Sequence, residues 1–199
     1  MKYAPVLAVM TSILLTAAAQ ADDAKSDKQK KQPKPIRSGL RAGEFIAPFH
    51  VTKLAGAKED GIEAGEETCY VCRNGGRPQV LIFSRSTDKP VAKLVQAVDK
   101  ALEQNEDLQL RAVVSLLGED PDELEEAAGK FAKDSKTKRV PFVLPFEFEN
   151  GPEDYAIHEK AEVTVMLAVE GKVAANFAVA RVDDLDTKAI VKGIEKFLD

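Results

Sequence analysis

Gln79-Val80-Leu81-Ile82-Phe83-Ser84, followed after Arg85-Ser86-Thr87 by Asp88-Lys89-Pro90-Val91, is the stretch on which the fold turns. Its first six residues hold an unbroken apolar run, the habit of a strand buried on both faces of an α/β sheet. Pro90 suits the first turn of a helix, with Asp88 as a cap in front of it. Val91, Leu94, Val95, Val98 and Leu102 then recur at three- and four-residue spacing, which predicts an amphipathic helix with one buried stripe.

On the amino-terminal side, residues 45–54 contain Ala47-Pro48-Phe49-His50-Val51-Thr52, a short alternating strand entered through a proline. Residues 56–68 are rich in glycine and acid and read as a loop. Beyond the central helix, residues 108–117 read as a strand, and residues 121–133 as a helix with Leu124, Ala127, Ala128 and Phe131 on one side. Residues 140–144 form a short strand closed by Pro145. Two further strands, 163–169 and 173–179, flank Glu170-Gly171-Lys172, a tight hairpin turn. Residues 183–198 close the chain as a helix, with Leu185, Ile190, Ile194 and Leu198 as its apolar positions. The order β, β-α-β-α-β, β-β-α predicts a mixed sheet with helices on both faces and no internal repeat.

The first 38 residues stand apart from this pattern. Lys2, the apolar run of residues 6–19 and the ending Ala19-Gln20-Ala21 have the form of a signal peptide cut near Ala21. An uncleaved anchor is the competing reading, although the run is short for a ~30 Å hydrocarbon core. No cysteine lies near the cut to take an acyl chain. Residues 22–38 hold six Lys and Arg among Pro33 and Pro35, a polar tether that cannot bury enough apolar surface to order itself. It reads as a solvated linker; a weak contact of its lysines with anionic lipid or cell-wall polymer is the alternative. The remaining domain, residues 39–199, carries 21 basic and 30 acidic residues, a net charge near −9. Such a surface repels phosphate backbones, so no nucleic-acid partner is expected.

Three stretches carry a resemblance. Gly43-Glu44-Phe45-Ile46-Ala47-Pro48-Phe49 resembles the entry segment of peroxiredoxins and secreted thioredoxin-like proteins. The run 80–85 resembles the strand leading into their active site, and Tyr155-Ala156-Ile157 with residues 163–173 resembles their late strand-turn-strand. The chain is similar in this way to the thioredoxin-like superfamily over most of residues 39–199. The resemblance implies a three-layer α/β/α sandwich with a mixed central sheet and an extra N-terminal strand. It also implies where the redox centre would sit. Asp88-Lys89-Pro90-Val91 falls where thioredoxins carry C-G-P-C, so the proline matches and both sulfurs are missing. A peroxiredoxin thiolate is absent too, and Thr87 does not replace it. Val163 falls at the position of the family's cis-proline, where a cis bond before valine would cost ~2.5–4 kcal/mol and a trans peptide is expected.

The chain's two cysteines lie elsewhere, in Cys69-Tyr70-Val71-Cys72, ahead of the buried strand. That order predicts a place near the opposite end of the sheet or in a loop folded over an edge. Three readings stay open: a structural disulfide, a redox-active pair, or half of a zinc site completed by His50 and His158. The residues after Cys72 (Arg73-Asn74-Gly75-Gly76-Arg77-Pro78) read as turn and not helix, which weakens thiolate activation, while Arg73 and Arg77 favour it. His50 reads as a solvent-face residue and His158 sits in polar sequence. Glu147, Glu149, Glu153 and Asp154 surround Asn150-Gly151-Pro152 without a calcium-loop pattern and read as a hydrated turn. Asp88 reads as a helix cap. No metal and no cofactor is expected, and no catalytic residue is assigned. The preferred reading is an exported module that binds a protein or peptide partner, stiffened by a Cys69–Cys72 disulfide. The alternative is a thiol-disulfide oxidoreductase that uses this displaced pair.

Overall fold

β3 (Gln79–Ser84) lies inside a seven-stranded mixed sheet and is buried along its whole length, none of Val80, Leu81, Ile82 and Phe83 being more than 1% exposed. The computed structural model describes Met1 and residues 36–198; the expected signal peptide and most of the tether lie outside the described residues. The other strands are β1 (Val51–Gly56), β2 (Glu67–Thr68), β4 (Arg111–Leu116), β5 (Pro141–Pro145), β6 (Val163–Val169) and β7 (Lys172–Val179). They lie in the order β2-β1-β5-β4-β3-β6-β7. β3, β4 and β5 run parallel, while β1, β6 and β7 pair antiparallel to their neighbours. The helices are α1 (Tyr70–Asn74), α2 (Lys89–Gln104), α3 (Pro121–Ser135) and α4 (Thr187–Leu198).

Side chains alternate across β3, so each face needs its own cover. Val80 and Ile82 pack with the apolar stripes of α2, α3 and α4. Two successive parallel crossovers, β3-α2-β4 and β4-α3-β5, step in the same direction, and right-handed connections of that kind put both helices on one face. Leu81 and Phe83 point the other way, into a second core with α1, Ile46, Phe49 and Tyr155. Helices therefore flank the sheet on both sides, but unequally: three long ones against a single turn.

Extended chain supplies the rest of the second cover. The strand expected over 45–54 is divided there. Residues 43–46 run along the start of β7, where Gly43 and Ile46 donate to Val173 and Gly171 carbonyls and Phe45 bridges Lys172. β1 begins only at Val51, on the far side of the sheet, and continues to Gly56. Between the two, Ile46 and Phe49 turn inward. Phe49, Phe83 and Tyr155 form an aromatic cluster with ring centroids 5.1–5.8 Å apart, and the Tyr155 hydroxyl donates to the Ala47 carbonyl at 2.6 Å. Pro48 has no N–H to give a ladder, which fits its place between the two pairings. The anchoring reaches back to Ser38, which is buried and shares a hydrogen bond with Thr164. Gly56 ends β1 at φ +79°, where any Cβ would meet the Val140 carbonyl oxygen.

The two proline-opened helices differ in their caps. Asp120 precedes α3, and one carboxylate oxygen accepts from the N–H groups of Asp122 and Glu123 at 2.9 and 3.3 Å. Asp88 occupies the same position before α2 but its side chain caps nothing, a correction to the sequence reading. The proline explains the difference. Pro121 is the first helical residue, where no donor is lost; Pro90 is the second, where a capping carboxylate would seek an N–H. Asp120→Ala is accordingly expected to cost about 1 kcal/mol. Asp88→Ala should shift the urea unfolding midpoint far less, and equal losses from both would refute the distinction.

Candidate functional site

Cys69 follows β2 and caps the first turn of α1, its sulfur accepting the N–H of Cys72 at 3.1 Å. The two cysteines are joined in a disulfide, with Cα atoms 5.3 Å apart. Their surroundings differ. Cys69 is 9% exposed and packs into the second core with Tyr70 and Val71, whereas Cys72 is exposed. The turn expected after Cys72 is in fact the end of a helix: α1 runs to Asn74 and stops at Gly75, φ +58°. Buried Val71 and Asn74 hold this single turn in place, and the Asn74 amide donates to Gln79 at 3.2 Å. Packing thus overrides the turn propensity of Arg73-Asn74-Gly75-Gly76.

A buried ion pair positions α1 from below. Lys53 sits on an inward position of β1 at 2% exposure. Its Nζ donates to Asp60 Oδ1 at 2.7 Å and to the carbonyls of Ala57 and Ile62 at 2.9 and 2.7 Å. All three ammonium protons find an acceptor. The other Asp60 oxygen accepts the Tyr70 hydroxyl at 2.6 Å, and Arg73 Nη2 donates to the Asp60 carbonyl at 3.0 Å. The segment 57–62 and the helix that carries the cystine are therefore tied to one lysine. Sequence reasoning missed it, though a lysine between Val51 and Ala55 on an inward strand face was a signal.

The remaining candidates stay apart from the cystine. β2 is an edge strand, four positions from β3 and hence from the start of α2. Asp88 is exposed there, while Val91 and Val163 are buried in the core on the opposite face from Cys69. Peptide bonds among the described residues are all trans. His50 is exposed beside Phe146, and His158 is exposed with its Nδ1 accepting from the N–H of Lys160 at 3.0 Å. Among the described residues, no three His, Cys, Asp or Glu side chains converge as metal ligands would. Glu147, Glu149, Glu153 and Asp154 are exposed, and Arg85 steadies their turn by donating to the Glu149 carbonyl at 2.6 Å.

Two measurements test this scaffold. Asp60→Ala leaves a buried ammonium without its partner and is expected to cost about 3 kcal/mol, more than the double variant Lys53→Met/Asp60→Ala. A urea-denaturation cycle that finds the two costs equal removes the ion pair as the anchor. The second concerns tyrosine. Burial first, and then the hydrogen bond and charge of Asp60, push the Tyr70 phenol well above its usual 10; burial, then Asp154, does the same to Tyr155. Phenols held protonated in the fold but free to ionise near pH 10 when unfolded give stability that is intact below pH 10 and lost as pH climbs beyond it. Apart from Tyr3, phenolate absorbance should then appear only with unfolding.

No protein-family model matches the chain, and no curated protein does. Solved structures match along most of it. A protein described as the thiol:disulfide interchange protein DsbE of Chlorobium tepidum superposes with a TM-score of 0.60 at 16% identity, over 80% of this chain and 99% of that one. One described as a protein disulfide isomerase of Bacteroides thetaiotaomicron gives 0.57 at 18%, over 82% and 94%. Mycobacterium tuberculosis AhpC gives 0.54 at 13%, over 79% and 93%. At such identities the likeness speaks of architecture, and with the strand order above it establishes that this chain has the thioredoxin-like fold.

Proposed function

We propose that the protein carries out thiol-disulfide exchange at the Cys69–Cys72 cystine, in an exported setting and on a protein or peptide partner. The exposure of Cys72 above a buried, hydrogen-bonded Cys69 carries this reading. An incoming thiolate reaches the Cys72 sulfur and forms a mixed disulfide with it. The Cys69 sulfur leaves as a thiolate, and the Cys72 N–H that already points at it stabilises that charge. A second thiolate of the same partner then attacks the mixed disulfide and releases Cys72. The partner gains a disulfide and loses two electrons, and the protein ends as a dithiol. Exchange rates rise as the leaving thiol's pKa falls; the Cys72 N–H bond at the start of α1 lowers that of Cys69 while its apolar surroundings raise it, and the open Cys72 sulfur gives the access. The names borne by the similar structures, interchange protein and disulfide isomerase, point the same way. Export would supply the oxidising compartment in which such a cystine persists.

One observation favours a second reading, a binding module with the cystine as a staple. Asp88, Val91 and Val163, the residues that the sequence resemblance aligns with the family's redox centre, do not meet the cysteines. A loop of so few residues gives less than the ~3 kcal/mol of a fifteen-residue closure, so the staple would be weak.

Equilibration with glutathione separates the two. Exchange predicts a potential between about −270 and −120 mV, and a Cys69→Ser variant that accumulates a stable mixed disulfide at Cys72. A potential below about −300 mV, with no mixed disulfide trapped, leaves only the staple.

A further inference from the structure

A basic hollow interrupts the acidic surface of the domain. A groove of about 1740 Å³ opens at the amino ends of β3, β4 and β5, and eight Lys and Arg line it against four Asp and Glu. The domain as a whole has the reverse ratio, 21 basic to 30 acidic. α1 supplies Tyr70, Arg73 and Asn74, one face of the turn, to its wall; Cys72 lies on the other face of the same turn, so a chain held in the groove passes around α1 to reach it.

Its charge is not neutralised from within. Among the described residues, Lys53 and Arg139 are the groove cations with a carboxylate in salt-bridge range. Three of the arginines are fixed by neutral oxygens instead. Arg73 donates to the Asp60 carbonyl at 3.0 Å, Arg77 to the Gln109 amide at 2.6 Å and the Arg73 carbonyl at 3.0 Å, and Arg111 to the Leu110 carbonyl at 3.1 Å. Such bonds restrain a guanidinium while leaving its full charge and its other N–H groups facing solvent. Register places two of these close together: Arg111 pairs with Gln79, two residues beyond Arg77. Restrained arginines with free donors are suited to carboxylates, which they grip in pairs of hydrogen bonds.

We propose that this groove binds an extended acidic segment of the polypeptide whose thiols react at Cys72. The size decides against a small anion: typical small-molecule pockets run to roughly 300–1,000 Å³ and converge on a few polar groups. Here the cations come from α1, α3 and the approaches to three strands. Nucleic acid is disfavoured because the lining holds no stacking platform: its one aromatic residue, Tyr70, is buried with its hydroxyl tied to Asp60. Residues 22–38, with six basic against three acidic residues, have the wrong sign of charge for this occupant. The identity of the segment as part of a thiol-bearing partner rests on the exchange reading; the groove's taste for acidic chain does not.

Fluorescence anisotropy of the purified protein with a labelled dodecapeptide of alternating glutamate and alanine tests this at about 50 mM salt. The peptide is expected to bind, to weaken as salt rises, and to lose about tenfold or more in affinity with Arg77→Glu/Arg111→Glu. The milder Arg77→Gln/Arg111→Gln, checked by circular dichroism for an intact fold, should show a smaller loss in the same direction. A Lys28→Glu/Lys30→Glu/Lys31→Glu variant should bind as the parent does. The proposal is overturned if the tether variant loses binding and the groove variants keep it. It is equally overturned if inorganic phosphate or a single-stranded oligonucleotide binds as tightly as the peptide, or if the peptide does not bind. Peptide binding with a cystine inert to glutathione would uphold the groove while removing exchange, so the two readings fail separately.

Discussion

A strand with no exposed face sets the terms for this molecule. Val80, Leu81, Ile82 and Phe83 are withdrawn from water on both sides of the sheet, and every other element is placed so as to keep them there. At roughly 1.5–3 kcal/mol for each large apolar side chain buried, four in succession are among the larger local contributions to stability. One face is met by three amphipathic helices. The other is met by whatever chain is left: a leader segment, a turn around Tyr155, and the one-turn helix that bears the cystine. The cysteines are thus part of the lid on a core, which is why one sulfur is buried and the other is not.

Much of this was legible in the residues. The apolar run 79–84, the stripe from Val91 to Leu102 and the hairpin around Glu170-Gly171 each obey a period that needs no tertiary information, and β3, α2, β6 and β7 lie where those periods place them. What escaped has a common cause. β2 is two polar residues long, α1 is a single turn followed by two glycines, and Lys53 is a charged residue on an inward face. Each exists because of distant partners: β1 for the first, the second core for the second, Ala57, Asp60 and Ile62 for the third. Periodicity cannot see such dependence. The cap that fails at Asp88 is a subtler case, since the residue type was right and the proline two residues on removed a donor.

The cystine shows how location changes chemistry. The same four-residue spacing at the start of a long central helix would have its sulfurs at the parallel strands' carboxyl ends. After the edge strand it instead offers its second sulfur to solvent and keeps its first in the second core, on a turn fastened through Tyr70 and Arg73 to Asp60, the partner of Lys53. The fastening matters because a single helical turn has almost no stability of its own. Without the ion pair and the burial of Val71 and Asn74, nothing would hold the Cys72 N–H against the Cys69 sulfur.

The path of residues 38–49 bears on how the chain acquires its shape. Residues 43–46 dock on residues 171–173, and Ser38 on Thr164 and Asn176, so the first part of the domain to be synthesised finds its seat on nearly the last. Contacts so remote in sequence form late, because a long loop must close before they are rewarded. A ribosome delivering this protein amino end first therefore releases a domain that cannot seal its second core until the β6–β7 hairpin has followed. Translation of the first residues of the domain and completion of its second core are separated in time.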